Sequence, residues 1–312
     1  MIHVDHLDEV NDLEKIADKL NKTVKVGIRL SMDTGIFPQW SRFGTNLESG
    51  QAIELVKRIK NAGKLIVNGL HSHIGTFILE PTAYAMQVEK MVKLSYEIEE
   101  ITGDSIEYLD IGGGLPSIIK LKGTYLPPEV GIPPLDDYAE QIVNALYKHL
   151  RPGDFPKLIL ENGRALIDES GYLITTLTST KRMPDGRRVY VVDAGVNLLF
   201  PAFWYQYQIE VDREIQGSNE QSVIYGPLCM NIDAVDEGIL LPPLNRGTRL
   251  ILSPVGAYST TQWMQFIEYR PNVVLIGKDR KVDIIREAED LSDIERREVI
   301  PEHLKNIAPI NP

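Results

Sequence analysis

Cysteine, positive charge and long apolar runs are scarce or absent in this 312-residue sequence. The one cysteine, Cys229, excludes an internal disulfide framework and a multi-cysteine zinc site, and it fits a reducing compartment. A net charge of -11 argues against a nucleic-acid backbone or an anionic membrane surface as a partner. We find no apolar run of about 18 residues and no secretory signal pattern, and we therefore expect a cytoplasmic protein.

Up to about residue 167, short apolar runs alternate with amphipathic stretches in the rhythm of a parallel α/β sheet. The pattern predicts strands at Val24–Leu30, Leu65–His73, Ile106–Ile111 and Leu158–Leu160, with helices at Gln51–Ala62, at about Thr82–Ile101 and from about Asp136. Polar or glycine clusters follow the strands, and α/β barrels build ligand sites from the loops at that end. We expect the site there.

After about residue 168 the sequence is rich in short strand-like runs separated by turn residues. They include Arg188–Val192, Ser222–Tyr225, Arg249–Leu252 and Val273–Ile276. We therefore predict two domains, an α/β domain at residues 1–167 and a β domain at residues 168–312.

Two motifs in the α/β part carry candidate chemistry. The run Leu109–Gly114 ends in three glycines, which form either a simple tight turn or a set of backbone N–H groups that cradle a phosphate. His71 and His73 stand two residues apart on one strand, so both rings point to the same face. That spacing occurs in metal sites, but the sequence shows no third ligand, and we predict no metal. Alternatively, His73 stacks on a planar cofactor whose phosphate Thr76 reaches.

Glu161 and Arg164 follow another strand and offer opposite charges at the same end of the sheet. They form either a structural ion pair or two contacts to one cofactor. In the second case the carboxylate faces a pyridine nitrogen and the guanidinium binds phosphate.

Together with Gly226-Pro227-Leu228-Cys229 and Gly256-Ala257-Tyr258, these motifs make residues 2 to about 295 resemble the fold type III pyridoxal-phosphate decarboxylases. That group includes the diaminopimelate, ornithine and arginine decarboxylases. The resemblance implies an α/β plus β architecture. It would consist of part of an alanine-racemase-like (β/α)8 barrel, about strands four to eight, and a C-terminal β domain. It also implies pyridoxal 5'-phosphate as cofactor and an amino acid as substrate.

The resemblance assigns roles to individual residues. His73 would stack on the pyridoxal ring, Glu161 would pair with its nitrogen, and Cys229 would enter the neighbouring subunit's site to assist reprotonation of the substrate's α-carbon. The phosphate would be held by Thr76, Gly113, Gly114, Gly163, Arg164 and Tyr258. An ion pair between Arg42 and Asp233 of different subunits would stabilise a homodimer.

The family's Schiff-base lysine has no counterpart here, because Lys15, Lys19, Lys22 and Lys25 do not match its motif. Three interpretations stay open. A separate chain completes the barrel and supplies the lysine in a hetero-oligomer, the sequence is part of a longer protein, or the protein is an inert relative that binds partners. The presence of the cofactor-binding residues His73, Glu161, Arg164 and Tyr258 counts against the inert relative.

Two positions bear on the substrate. Phe200 stands where diaminopimelate decarboxylases have an arginine, and Met230 stands where they have an acidic residue. Burying a charged distal group there without a partner would cost several kcal/mol. We therefore expect a substrate other than diaminopimelate or a simple basic amino acid. A pyridoxal-phosphate epimerase is the enzymatic alternative to a decarboxylase.

Overall fold

The computed structural model describes residues 1–36 and 38–305. The chain divides into two compact units, one formed by residues 1–172 with 253–257, the other by residues 173–252 with those from 258 onward. The domain assignment at residues 1–167 and 168–312 stays a prediction, and residues 306–312 lie outside the described part.

The first unit alternates strands and helices. Its strands are β1 (His3–Val4), β2 (Val24–Ser31), β3 (Thr45–Asn46), β4 (Leu65–Ser72), β5 (Tyr108–Asp110), β6 (Lys120–Leu121) and β7 (Lys157–Ile159). Its helices are α1 (Leu7–Leu20), α2 (Gln51–Ala62), α3 (Thr82–Thr102), α4 (Pro128–Gly131), α5 (Leu135–His149) and α6 (Arg164–Ile167), followed by a 3-10 turn at Asp168–Ser170. The predicted strands and helices of this part lie within two residues of these bounds.

One sheet organises the first unit, in the order β1-β2-β4-β5-β7, with β3 added beside β2. All of these neighbours run parallel. Because the strands are parallel, their carboxyl ends meet at one edge of the sheet. Along β2, Val26, Ile28 and Leu30 join the hydrophobic core, so the alternate residues Gly27 and Arg29 point to the opposite face.

The helices bury apolar stripes against that sheet. In α2 the buried residues are Ala52, Leu55, Val56 and Ile59, at the spacing of one helical face. Gly63 ends α2 in the left-handed conformation, with φ of 71°, and its N–H donates to the carbonyl of Ile59. Glycine suits this cap because it has no Cβ to strain there.

The second unit is built from β8 (Leu173–Arg182), β9 (Arg188–Val192), β10 (Tyr205–Gln206), β11 (Gln208–Val211), β12 (Glu220–Tyr225), β13 (Ala234–Leu241), β14 (Arg249–Ser253), β15 (Val273–Ile276), β16 (Val282–Arg286) and α7 (Leu291–Glu295). Short 3-10 turns lie at Phe200–Phe203, Thr260–Gln262 and Glu302–Leu304. A six-stranded sheet has the order β11-β14-β8-β9-β12-β13, and β15 pairs with β16. Within the described residues, none of the helices combines the length and the hydropathy that crossing a bilayer requires.

Candidate active site

In the first unit, a cavity of about 580 Å³ opens on the face of the sheet opposite the one that packs against the helices. Its lining residues are His3, Asp5, His6, Glu9, Arg29, Phe43, His71, His73 and Glu161. Arg29 and His71 alternate along β2 and β4 with the core residues Ile28, Leu30 and Leu70. The strand period of two therefore places the polar residues in the cavity.

His73 follows β4 directly, and its ring is fixed by the glycine turn after β5. The backbone N–H of Gly113 donates to His73 Nδ1 over 3.2 Å, which leaves Nε2 to carry the proton of the neutral ring. A Cβ on Gly112 would come within 2.9 Å of the same Nδ1, so glycine lets the turn approach the ring. Burial lowers the pKa of His73, with Arg29 adding to the effect and Glu161 opposing it.

Glu161 lies two residues after β7 and reaches the same cavity. Its backbone N–H donates to the carbonyl of Gly112 over 2.8 Å, which ties β7 to the glycine turn. Its carboxylate is 52% exposed, and Oε2 lies 3.4 Å from Nε2 of His71. The cavity thus presents an imidazole plane and a carboxylate, His73 and Glu161, as the sequence motifs predict.

His71 shares a face with His73, as their spacing predicts, but its neighbours differ from the sequence-based expectation. The ring of His3 stacks on His71 with 4.7 Å between centroids, and His3 Nε2 lies 3.1 Å from the hydroxyl of Tyr108. His3, His71 and Asp110 bring one nitrogen or oxygen each to within 4.8 Å of one another. The sequence alone showed no third ligand for the histidine pair, whereas the structure brings His3 and Asp110 close to His71; the absence of a metal stays a prediction.

The sequence analysis did not identify Arg29 and His3 as cavity residues, nor Asp110 as a buried neighbour of His71. Strand register places Arg29, His71 and Asp110 in one row, because Arg29 pairs with His71 and His71 pairs with Asp110 across neighbouring strands, and the His3 ring stacks on His71. Arg29 stands in an otherwise apolar strand, and its guanidinium lies 4.8 Å from the centre of the Phe43 ring. A charged residue alternating with core residues was the available signal.

The predicted phosphate-binding residues of the first unit have varied surroundings. Thr76 and Gly163 are exposed, and Gly163 precedes the short helix α6. Gly114 has φ of 106°, and a Cβ there would come within 2.5 Å of the carbonyl oxygen of Gly75. Gly113 uses its N–H for His73, while its carbonyl accepts the hydroxyl hydrogen of Tyr84.

Arg164 is buried, and its Nη1 donates to Asp168 Oδ2 over 3.1 Å. The same oxygen accepts from the hydroxyl of Ser117. Arg164 is not among the residues that line the cavity. Its predicted phosphate contact therefore remains a prediction, and the structural ion pair is with Asp168 rather than with Glu161.

The predicted residues of the second unit lie on its turns. Cys229 is exposed, and Met230 beside it is half-buried. Phe200 is half-buried and makes an edge contact with Trp204, with 5.4 Å between ring centroids. Tyr258 is 47% exposed and has φ of 65°.

The two members of the predicted intersubunit ion pair differ in exposure. Arg42, in the first unit, is exposed beside Phe43. Asp233 is buried, and its carboxylate accepts the N–H groups of Val196 at 2.7 Å and Leu228 at 2.6 Å. Burial raises the pKa of Asp233, although these two bonds oppose the rise. The Arg42–Asp233 pair stays a prediction.

The sequence matches two protein-family models. Residues 1–168 match the pyridoxal binding domain of the pyridoxal-dependent decarboxylases, and residues 96–256 match their C-terminal sheet domain. The chain belongs to the pyridoxal-dependent decarboxylases. This confirms the predicted family and its cofactor, pyridoxal 5'-phosphate.

Individual pyridoxal-dependent decarboxylases align with nearly all of the chain. The diaminopimelate decarboxylase of Methanocaldococcus jannaschii is 28% identical over 314 residues, which cover 97% of this chain and 69% of that protein. The diaminopimelate decarboxylase of Aquifex aeolicus is 31% identical over 304 residues, covering 93% of this chain and 68% of that protein. The chain therefore spans slightly more than two thirds of these relatives.

A crystal structure of the Methanocaldococcus jannaschii diaminopimelate decarboxylase matches with a TM-score of 0.84 over 96% of this chain and 69% of that one, at 28% identity. The match confirms the predicted fold class, a partial barrel followed by a β domain. The relatives' names conflict with the prediction that diaminopimelate is not the substrate. The substitutions at Phe200 and Met230 are therefore not enough to exclude diaminopimelate.

The cavity's residues fit the family's cofactor. The half-buried imidazole of His73, whose pKa is lowered by burial, offers a flat surface for an aromatic ring, and the carboxylate of Glu161 can accept a hydrogen bond from a protonated ring nitrogen. The glycine turn packs closely on the segment that carries Glu161, because a Cβ on Gly113 would come within 2.5 Å of the carbonyl oxygen of Glu161.

Proposed function

We propose that this chain is the cofactor-binding portion of a pyridoxal-phosphate-dependent amino-acid decarboxylase. The observation that carries the proposal is the placement of His73 and Glu161 in one cavity, in a chain of the decarboxylase family. When bound, the cofactor's pyridine ring accepts the electron pair that the substrate's α-carbon retains as CO2 leaves.

The residues of this chain bind the cofactor and orient its ring. His73, fixed by the N–H of Gly113, packs against the ring, and Glu161 accepts a hydrogen bond from the ring nitrogen. Charge-assisted bonds of this kind favour the protonated ring. The phosphate is assigned, by family resemblance, to Thr76, Gly113, Gly114, Gly163, Arg164 and Tyr258. Thr76 and Gly163 are exposed, which supports this assignment.

Cys229 is proposed to donate a proton to the substrate's α-carbon in the site of a neighbouring subunit. Its exposure within one chain supports a role across an interface. The homodimer, and the ion pair between Arg42 and Asp233, belong to the same proposal. A cytoplasmic location is also proposed, because a single cysteine fits a reducing compartment.

The lysine that carries the cofactor is proposed to come from outside these 312 residues, since none of the residues that line the cavity is a lysine. Its source is either a separate chain in a hetero-oligomer or a longer form of this protein. The relatives' greater length supports both sources.

Diaminopimelate is the first substrate to test, because the relatives are diaminopimelate decarboxylases. Phe200 and Met230 are the positions to compare with it, since neither side chain carries a charge for a distal carboxylate or ammonium group. Release of CO2 from diaminopimelate and from amino acids with uncharged distal ends is to be measured side by side. Exchange of the α-proton without CO2 release would identify an epimerase instead.

The test of the whole proposal is to purify the tagged chain from its native cells and identify stoichiometric companions by mass spectrometry. A companion or extended form with a borohydride-reducible lysine adduct, and CO2 release that Glu161→Gln lowers by about a hundredfold or more, supports the proposal. An assembly that releases CO2 equally well with Glu161→Gln contradicts the role of Glu161. An isolated chain that fails to bind the cofactor contradicts the proposal altogether.

A further inference from the structure

Beneath the candidate site, His71 and Asp110 lie side by side on neighbouring strands. The two residues are register partners of β4 and β5, so their side chains share one face of the sheet. His71 is 4% exposed and Asp110 is 0% exposed. Neither side chain has a role in the family assignments above.

Each of these side chains has one atom in contact and one atom unpartnered. His71 Nε2 lies 3.4 Å from Glu161 Oε2, and Asp110 Oδ1 accepts the N–H of Gly112 over 3.0 Å. The other two atoms, His71 Nδ1 and Asp110 Oδ2, are buried without a hydrogen-bond partner among the described residues. A ring nitrogen of His71 and a carboxylate oxygen of Asp110 lie within 4.8 Å, a gap that a small rotation or one water closes.

We propose that Asp110, His71 and Glu161 form a hydrogen-bonded relay in which His71 is a positioning residue for Glu161. Two protons are distributed over the three groups. Asp110 Oδ2–H donates to His71 Nδ1, and His71 Nε2–H donates to the carboxylate of Glu161. The relay holds Glu161 toward the cavity, and it rests on the proposed function because Glu161 there receives the ring nitrogen.

The charges around the relay favour this distribution of protons. Burial raises the pKa of Asp110, with Glu161 adding to the rise and the N–H of Gly112 opposing it. Burial, helped by His3 and Arg29 and opposed by Glu161, lowers the pKa of His71 to about 4. In the relay, the protonated Asp110 donates to the unpartnered Nδ1 of His71, and the Nε2–H of the neutral His71 ring donates to Glu161.

The groups facing His71 from the other strands also disfavour a metal ion. The rings of His3 and His71 are stacked, with 4.7 Å between centroids and 19° between their planes, so their lone pairs lie in two separate, nearly parallel planes, which disfavours convergence on one ion. His3 Nε2 is within hydrogen-bonding distance of the Tyr108 hydroxyl. Arg29, in register with His71, adds positive charge to the same row.

The first experiment is nitrogen NMR of histidine side chains in the 312-residue chain without cofactor, between pH 5 and pH 8. The relay predicts that His71 keeps Nε2 protonated and Nδ1 unprotonated and hydrogen-bonded throughout. Replacing Asp110 by Leu should remove the Nδ1 hydrogen-bond shift, while Asp110→Asn should keep it, because an amide N–H also donates. A His71 ring that titrates near its ordinary pKa of 6.5, or stoichiometric zinc in the purified chain, overturns the relay.

The second experiment uses pyridoxine 5'-phosphate, which lacks the aldehyde and so needs no lysine. In His71→Gln the amide nitrogen takes the place of Nε2 and still donates to Glu161, whereas in His71→Asn it takes the place of Nδ1. We expect near-normal affinity for His71→Gln and about tenfold weaker binding for His71→Asn, which is the scale of one hydrogen bond. Equal affinities of two folded variants overturn the relay.

The two experiments separate the relay from the proposed function. If the unmodified chain does not bind pyridoxine 5'-phosphate, the proposed function fails, and the NMR result still decides the relay. Circular dichroism and thermal unfolding establish that each variant is folded before its affinity is compared.

Discussion

Arg164 and Asp168 form an ion pair between two almost fully buried side chains, with 3.1 Å between Nη1 and Oδ2. Asp168 also accepts the N–H of Ala257 over 2.9 Å and the hydroxyl hydrogen of Ser117. The carboxylate therefore joins three chain segments of the first unit. A phosphate bound by Arg164 would have to share that guanidinium with Asp168.

Asp168→Asn should lower the free energy of unfolding by about 3 kcal/mol, because it removes the negative charge beside a buried guanidinium. Urea unfolding of the full chain measures the effect. Asp185→Asn is the matched control, since it breaks an exposed ion pair with Arg187 and should change stability little. Equal effects of the two substitutions would show that burial of the Arg164 pair does not matter.

Gly113→Ala should lower the free energy of unfolding by about 1–3 kcal/mol, because the new Cβ meets the carbonyl oxygen of Glu161 at 2.5 Å. Gly238→Ala is the control, since a Cβ there has nothing within 4 Å. Chemical denaturation of both variants checks the difference. If Gly113→Ala is as stable as Gly238→Ala, the close approach of the glycine turn to β7 is incorrect.

Stability should fall as the pH falls from about 6.5 to about 4, through His71. Burial holds the pKa of His71 at about 4, against 6.5 in an unfolded chain, so in this window the unfolded chain binds a proton that the folded chain does not. The contribution is present in full above pH 6.5, and about 3 kcal/mol of it is lost by pH 4.

Unfolding free energies of the unmodified chain and His71→Gln across this window measure that contribution. His71→Gln should lose this part of the pH dependence. His303→Gln, which replaces an exposed histidine, should keep it. An unchanged pH slope in His71→Gln would contradict the burial of a neutral His71.

Much of the fold was predictable from local patterns. The periodicity of α2 gave its bounds from Gln51 to Ala62, and the apolar runs gave β9 and β15. Motif resemblance identified His73 and Glu161, which the structure brings to one cavity. Local signals sufficed for these features because a helix cap, a hydrophobic period and a short motif each involve residues that are close together in the sequence.

Other parts of the site depend on contacts that no local pattern contains. Arg29, His71 and Asp110 form one row only because of the register between three strands, and one shift in register would separate them. Similarly, the partner of Arg164 could have been Glu161 or Asp168 from spacing alone. The burial that decides between them comes from tertiary packing.

We propose that the cofactor ring stacks on His73 with its nitrogen toward Glu161, and Trp40 provides the most direct test of this placement. The Trp40 ring lies 5.7 Å from His73, edge to face, and is one of three tryptophans in the chain. Pyridoxine 5'-phosphate added to the full chain should quench tryptophan fluorescence saturably, and Trp40→Phe should abolish most of the change.

The measurement to make first is this titration, in the unmodified chain, His73→Ala and Glu161→Gln. We expect saturable binding by the unmodified chain and binding about tenfold or more weaker in each variant, because each variant loses either the ring stacking or the charge-assisted hydrogen bond. Saturable binding of equal strength in all three folded proteins, or none in the unmodified chain, would contradict the account.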